Sequence, residues 1–291
     1  MGSIRQFVLL LILLGLVIYF RNDLVNAKDK IVSFFQETNQ GQTTDSVLAS
    51  LQKEILTPPP LRLTTSTSTS AGTTLTDAGV IELTNENRTE NGSAVLTENA
   101  KLDAAAKLKL DDMFANQYFE HVSPSGKGPA DLANEVSYQY VLIGENLAEG
   151  NFVNNSDLLT AWMNSPGHRA NILNPRFKEI GVAVGKGEFE GHETWMAVQE
   201  FGEPLSDCPA VSSTLDQQIT TLQQTVSSLD TDLKAKKQDL DATSQSDPSY
   251  NQKAAAYNAE VDTYNADLAQ VKQLISQYNA EVQAFNQCVA S

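Results

Sequence analysis

The chain has 291 residues, with 20 Lys and Arg against 36 Asp and Glu, which gives a formal net charge of −16. This acidic balance argues against nucleic acid as a partner, because binding to phosphates needs a basic surface. It also predicts good solubility and weak affinity for anionic membrane surfaces.

The N-terminal segment, residues 1–27, contains an unbroken apolar run from Phe7 to Phe20, which Arg5 and Arg21 flank. The run is short for a membrane span, but both arginines can reach back toward lipid headgroups. An uncleaved signal anchor is the preferred interpretation, and a cleaved signal peptide or a buried core helix are the alternatives. The first two place the rest of the chain outside the cytoplasm, either anchored at the cell surface or secreted.

Residues 28–76 are predicted to be a short amphipathic stretch followed by a linker. Three consecutive prolines, 58–60, stop any helix, and residues 61–76 are rich in serine and threonine. Such a composition cannot bury a core, so we expect an unstructured spacer between the membrane and the next domain.

Residues 77–204 are predicted to form a compact domain of helices around a small, mainly antiparallel sheet. Alternating apolar residues at 179–185 and 194–202 indicate two strands of a hairpin. The other predicted elements are, in order, a helix ending near Asn91-Gly92, a helix starting at Thr97-Glu98, a short helix over 130–136, a strand over 140–150, and a helix over 156–163 capped by Ser156. This composition predicts an α+β sandwich.

Residues 208–291 show two heptad seams separated by a break around Pro248, which predicts an antiparallel coiled-coil hairpin. In the best register Ile219 faces Tyr278, and Cys208 and Cys288 fall within one residue of that register. Outside the cytoplasm these two cysteines are expected to form an intrachain disulfide. Two free thiols or an intermolecular bridge are the alternatives.

The sequence Ser-Pro-Gly-His-Arg, residues 165–169, predicts a helix start in which Ser165 is the cap and His168 is the third helical residue. The positive end of the helix dipole disfavours a charged imidazole at that place. A neutral His168 can ligate a metal or accept a hydrogen bond. Alternatively, His168 is a partly buried residue that bonds to the backbone near Trp162.

His121 and Glu145 are the other candidates for chemistry. His121 follows the second predicted helix, and Glu145 ends a buried, strand-like run, where a carboxylate usually has a dedicated partner. Together with His168 they would supply three ligands to a zinc ion and leave its fourth coordination position open. Their spacing is not a local ligand signature.

Several stretches together resemble the bacterial branch of the CAP superfamily, which comprises cysteine-rich secretory, antigen-five and pathogenesis-related-one proteins and is also called SCP-like. The stretches are LTNENR, YFEHVSPSG, IGENLAEG, AWMNSPGHRANILNPRFKEIGVAV and WMAVQEFG, and the resemblance covers residues 77–204. It implies a three-layer α-β-α sandwich with a cleft formed by two histidines and two glutamates that binds a divalent metal, often zinc, in some members.

By motif, His121 and His168 correspond to the two histidines and Glu145 to the first glutamate. The position of the second glutamate is Ser165 in this chain. The ligand set of the family is therefore incomplete.

Other residues of the domain receive weaker predictions. Asn146, Ser165 and Asn171 are candidates to line the cleft, although the two asparagines could equally satisfy backbone groups. One of Gln199 and Glu200 is expected to point inward, because they alternate on a strand. His192 is expected to be a solvated loop residue, and the expected core aromatic residues are Trp162, Trp195 and Phe201.

Three functions are compatible with these features. The preferred one is a surface module that binds a small lipid-like ligand, a wall component or a surface protein. The second is a metal-assisted hydrolase acting on wall or protein substrates, with Glu200 as the nominated base. A nucleophilic pair of Ser165 and His168 is less favoured, because the cap explains the serine. The third is a structural stalk.

Overall fold

The structure is a computed structural model that describes residues 54–63 and 74–290. In these ranges the helices are α1 Asp77–Glu90, α2 Ala100–Asn116, α3 Pro129–Glu135, α4 Asn155–Asn164, α5 Pro166–Leu173, α6 Ser213–Ala242 and α7 Tyr250–Ala290. The strands are β1 Glu54–Leu56, β2 Leu61–Arg62, β3 Thr97–Glu98, β4 Tyr140–Gly150, β5 Glu179–Phe189 and β6 His192–Pro204.

The sheet is built around three long antiparallel strands. In the described residues the strand order is β1-β4-β6-β5-β3, and β2 also pairs with β4. β5 and β6 form the predicted hairpin, and its turn uses Glu190 and Gly191 at φ values of 50° and 81°. Glycine adopts positive φ without a steric cost, which is why this sequence can turn so tightly.

Helices cover both faces of the sheet. Ala148 and Ala197 belong to a cluster with the apolar residues of α1, α4 and α5, including Trp162. Leu147 and Val198, one residue along each strand, belong to a cluster with α2. Successive strand residues point to opposite faces, so these two clusters are the two interfaces of a three-layer sandwich. The predicted α+β fold is confirmed.

Two predicted helix starts differ from the structure. Thr97 and Glu98 do not begin a helix but form β3, which pairs with β5, and α2 begins at Ala100. The Asn99 side chain accepts a hydrogen bond from the Lys101 amide and so caps α2. Likewise Asn154, and not Ser156, caps α4. In both cases an asparagine fixes the first turn, one residue after the predicted start in α2 and two residues before the predicted cap in α4.

The linker prediction for residues 28–76 also differs in one part. Residues 54–63 do not form a free spacer but lie along β4, to which β1 and β2 are hydrogen-bonded in parallel. The predicted signal anchor, residues 1–27, lies outside the described residues. Within the described ranges, no helix combines the length and apolar character needed to cross a bilayer.

The C-terminal helices α6 and α7 pack against each other. Cys208 and Cys288 form the predicted disulfide, with their Cα atoms 5.6 Å apart. An ion pair between Lys236 and Glu260 joins the same two helices toward their connection, so they run antiparallel. The buried residues are Leu215, Ile219, Val226, Leu233, Leu268, Val271, Ile275, Phe285 and Val289. All of them belong to the two predicted seams.

Candidate functional site

His121 and Glu145, which are 24 residues apart, are in contact in the folded chain. His121 lies in the loop after α2, and Glu145 lies in the middle of β4. The His121 Nδ1 and Glu145 Oε1 atoms are 2.6 Å apart. The glutamate side chain is fully buried and the imidazole is 12% exposed. The pair therefore presents one ring edge outward while its carboxylate is shielded from water.

Glu200 of β6 is the cross-strand neighbour of Glu145. Burial raises the pKa of Glu200 well above its ordinary value, and the adjacent Glu145 raises it further. Two carboxylates this close cannot both ionise easily, so Glu200 retains a proton at pH values where an ordinary glutamate has lost it. That proton can be donated to Glu145. Glu200, the nominated base, thus lies beside Glu145, but as a carboxylic acid.

Lys109 of α2 is the buried cation next to these acids. Its Nζ donates to the carbonyls of Glu120 and His121, at 2.6 and 2.8 Å. Burial lowers the pKa of Lys109, and the nearby Glu145 and Glu200 oppose that shift. The lysine holds the loop that carries His121 in place and offsets the negative charge below it.

His168 lies near this group but does not join it through a hydrogen bond. Its Nδ1 is 2.8 Å from the Ser165 Oγ, and its buried Nε2 has no hydrogen-bond partner among the described residues. Burial lowers the pKa of His168 from 6.5 to about 4, with a smaller contribution from His121 and a partial offset from the Leu147 carbonyl. The ring is therefore neutral at pH 7, as predicted, although burial is the main cause.

Ser165 occupies the N-cap position of α5, but its side chain makes no capping bond to the backbone. The hydroxyl is instead bonded to His168. The cap interpretation of this side chain is therefore wrong, because the imidazole one turn later competes successfully for the hydroxyl.

Asn146 and Asn171 form a buried amide chain beside the site. Asn171 Nδ2 lies 3.0 Å from Asn146 Oδ1, and Asn146 donates to the His168 carbonyl and to Gln199 Oε1. Gln199 in turn donates to Thr84 of α1. Both Gln199 and Glu200 are buried on opposite faces, because the sheet has helices on each side. The expectation that only one would point inward is wrong for this reason.

Residues 54–63 cover the outer side of this site. The Pro58 carbonyl lies 2.5 Å from His121 Nε2, and the Leu56 carbonyl accepts a hydrogen bond from Asn171 Nδ2 at 3.2 Å. A carbonyl oxygen only accepts, so His121 Nε2 carries a hydrogen. Sequence reasoning missed this contact because nothing in a proline-rich stretch identifies the strand that it pairs with.

The predicted zinc ligands are engaged in other contacts in this structure. In the described ranges, no three His, Cys, Asp or Glu side chains are placed to hold a metal. Both ring nitrogens of His121 already have partners, and Ser165 supplies a hydroxyl where the family pattern has a carboxylate. Zinc binding by His121, Glu145 and His168 stays a prediction.

The remaining predicted residues lie near their expected places. Trp162 and Phe201 are in the main core cluster, and Trp195 is at its margin. His192 begins β6 with an exposed side chain and lies 3.7 Å from Glu149. Lys109 was not predicted, although a lysine within the apolar face of α2 is a signal of buried charge.

Taken together, the fold and the site define a three-layer sandwich of helices and one sheet, with a histidine–glutamate pair at strand β4. Comparison with known families gives the class: residues 81–201 match CAP, the cysteine-rich secretory protein family. This match supports a CAP domain of the bacterial, SCP-like kind over these residues.

Two Bacillus subtilis (strain 168) proteins are similar in sequence. YkwD is 34% identical over 172 residues, which cover 58% of this chain and 65% of YkwD. The membrane protein YlbC is 32% identical over 113 residues, which cover 39% of this chain and 32% of YlbC. The chain thus spans less than two thirds of either relative.

One similar solved structure is an extracellular protein containing an SCP domain from Bacillus anthracis. It is 28% identical, and the match covers 43% of this chain and 39% of that chain at a TM-score of 0.38.

Proposed function

We propose that this protein is an extracytoplasmic binding module whose CAP cleft donates hydrogen bonds to amide carbonyls of a ligand. The observation that carries the proposal is that two side chains of the domain, His121 and Asn171, both donate to carbonyls of residues 54–63. Those residues lie outside the part of the chain that matches the family.

Both donors are held in place from behind. Glu145 fixes the ring of His121 through Nδ1, and Asn146 accepts from Asn171. Buried partners of this kind set the rotamer before a ligand arrives, which lowers the entropic cost of binding. The cleft is therefore arranged for recognition of acceptor groups.

Hydrolysis is the second candidate and has less support. Glu200 would be a poor base, because burial and Glu145 keep it protonated. Ser165 and His168 are hydrogen-bonded, but the imidazole is 1% exposed and its other nitrogen has no acidic partner among the described residues. Neither arrangement resembles an activated nucleophile with an oriented base.

The display of the module is also a proposal. We infer that residues 1–27 anchor the chain to a membrane and that α6 and α7, as a coiled-coil hairpin, serve as a stalk or contact a partner. The disulfide between Cys208 and Cys288 supports an oxidising compartment for this part of the chain.

The binding proposal is tested with the full chain labelled with ¹⁵N-histidine. N-acetylprolinamide, N-acetylglucosamine and octanoic acid are titrated separately while the imidazole resonances are followed by NMR. We expect N-acetylprolinamide and N-acetylglucosamine to shift the imidazole resonances of His121 and to leave those of the exposed His192 unchanged. A shift of His121 by octanoic acid alone would favour an apolar ligand and reject the proposal, as would no shift with any probe.

The hydrolase alternative is tested on the same protein with casein and with purified cell-wall sacculi. We expect no release of soluble fragments above that of a Glu200→Gln variant. Release that depends on Glu200 would replace the binding proposal with a catalytic one.

A further inference from the structure

We propose that the cleft binds an extended, proline-containing peptide of another protein, and that residues 54–63 are a tethered ligand that such a peptide displaces. This inference rests on the proposed function and assigns its ligand class. Four features of the segment support it: its pairing with β4, its fit over two glycines, its side-chain anchors and its partial exposure.

The segment is paired with β4 as an added edge strand. Leu56 is in register with Gly144, and Leu61 is in register with Ala148. Between these two pairs the segment advances by five residues and β4 by four, so the segment has one extra residue and bulges away from the strand ladder beside Glu145. Prolines 58–60 occupy this bulge, where the absence of N–H groups is no loss. Addition of an extended peptide to an open sheet edge is an established mode of recognition.

Two glycines let the segment approach closely. A Cβ atom on Gly167 would lie 2.6 Å from Pro58 Cβ, and one on Gly150 would lie 2.7 Å from Leu63 Cβ. Any side chain at these positions would collide with the segment. The groove is thus shaped for a close-lying chain with a proline above Gly167.

Side chains of the segment anchor it on both sides of the bulge. Leu56, Leu61 and Leu63 pack against the main core cluster. The Arg62 guanidinium lies over the rings of Phe119 and Phe189, at 5.3 and 5.4 Å from their centroids. These contacts predict that the displacing peptide carries apolar residues on both sides of its prolines and a basic residue after them.

The segment is bound at the surface and is not part of the core. None of residues 54–63 is fully buried, whereas every residue of β4 is buried beneath it. An edge segment whose residues are all partly or fully exposed is typical of segments that open locally at low cost. A competing peptide can therefore exchange with it without unfolding the domain.

The test uses two full-length variants in which the segment is released. Leu56→Ser/Leu61→Ser removes its apolar anchors, and Arg62→Glu removes its cation and repels Glu190, which pairs with Arg62 in the structure. The second variant leaves the core unchanged and serves if the first fails to fold. Leu108→Ser, at an exposed site of α2, is the matched control. Tryptophan fluorescence checks folding.

The probe is a fluorescein-labelled peptide with the sequence of residues 54–63, and its binding is followed by fluorescence anisotropy. We expect both released variants to bind the peptide at least about tenfold more tightly than the wild type and the Leu108→Ser control. The reason is that only molecules with an open cleft can bind, so the apparent affinity is reduced in proportion to the fraction of open molecules. A peptide with alanines at the three prolines should bind more weakly.

A second substitution locates the binding in the groove. Adding Gly167→Ala to a released variant should weaken peptide binding, whereas adding Gly128→Ala should not, because a Cβ there meets its nearest atom at 3.7 Å. Equal binding by wild type and released variants, or no effect of Gly167→Ala, would overturn the inference. If N-acetylprolinamide shifts His121 but the peptide does not bind, only the peptide assignment fails. If neither binds, the proposed function fails too.

Discussion

Arg88 of α1 is fully buried and is expected to be one of the most important side chains for stability. Its guanidinium donates to the carbonyls of Ala94, Ile172, Asn174 and Phe177 at 2.6, 2.6, 3.0 and 3.4 Å. These groups surround the end of α5, the helix that carries His168 and Asn171. One side chain thus ties the first helix of the domain to the site.

Replacing Arg88 by Met removes the donors and keeps most of the volume. The contacts to Ile172 and Phe177 are buried, and a buried acceptor without a donor costs about 1–3 kcal/mol. Burial of the guanidinium itself costs free energy, as its lowered pKa shows, and the methionine variant avoids that cost. This gain offsets part of the loss. We expect a loss of about 3 kcal/mol, which corresponds to a decrease of about 2 M in the urea midpoint for an m-value of about 1.5 kcal/mol/M.

Urea unfolding followed by tryptophan fluorescence measures this loss in the right part of the chain. Trp162 and Trp195 are the two tryptophans of the sequence, and both lie in the CAP domain. Arg169→Met is the control, because Arg169 makes one surface hydrogen bond to Asn91. It should change stability by less than about 0.5 kcal/mol. Equal midpoints for the two variants would refute the account of Arg88.

Two further predictions concern pH and the disulfide. His168 has a pKa of about 4 in the folded chain and of about 6.5 in the unfolded chain, so the unfolded chain binds the proton more readily. The contribution of this residue to the free energy of unfolding is therefore complete above pH 6.5. It decreases by up to about 3 kcal/mol as the pH falls from 6.5 to about 4. His168→Gln should flatten that part of the urea-midpoint profile, and an unchanged slope would contradict burial as the cause. Cys208→Ser opens a loop of 80 residues, which should destabilise the α6–α7 hairpin by about 4 kcal/mol in circular-dichroism melts while the tryptophan transition stays in place. A helical melt that does not move would show that packing alone holds the hairpin.

Much of the architecture follows from local patterns. The alternation of apolar residues along β5 and β6 specifies strands, because each second side chain must face a helix layer. Spacing also predicts the pairing of Cys208 with Cys288, since heptad register fixes which residues meet at the open end of the hairpin.

The sequence predicted the candidate site only in part. Motifs singled out His121, Glu145 and His168, but two different environments resulted: the first two residues are in contact, and the third is bonded to Ser165. Lys109 was missed because its position next to the acids depends on how α2 crosses the sheet. Helix start signals were misread where a neighbouring asparagine offered a better cap.

The sequence by itself determined the long helices and strands, where the chain carries heptads, and which motif residues deserve chemical interest, because each depends on residues close together in the chain. Only the tertiary structure decided that Glu145 faces Glu200 and that Pro58 lies over His121. Cross-strand and edge pairings join residues more than 50 positions apart, and many segments of similar composition could make the same backbone hydrogen bonds. The shape of the groove, set by glycines at 150 and 167, selects one of them.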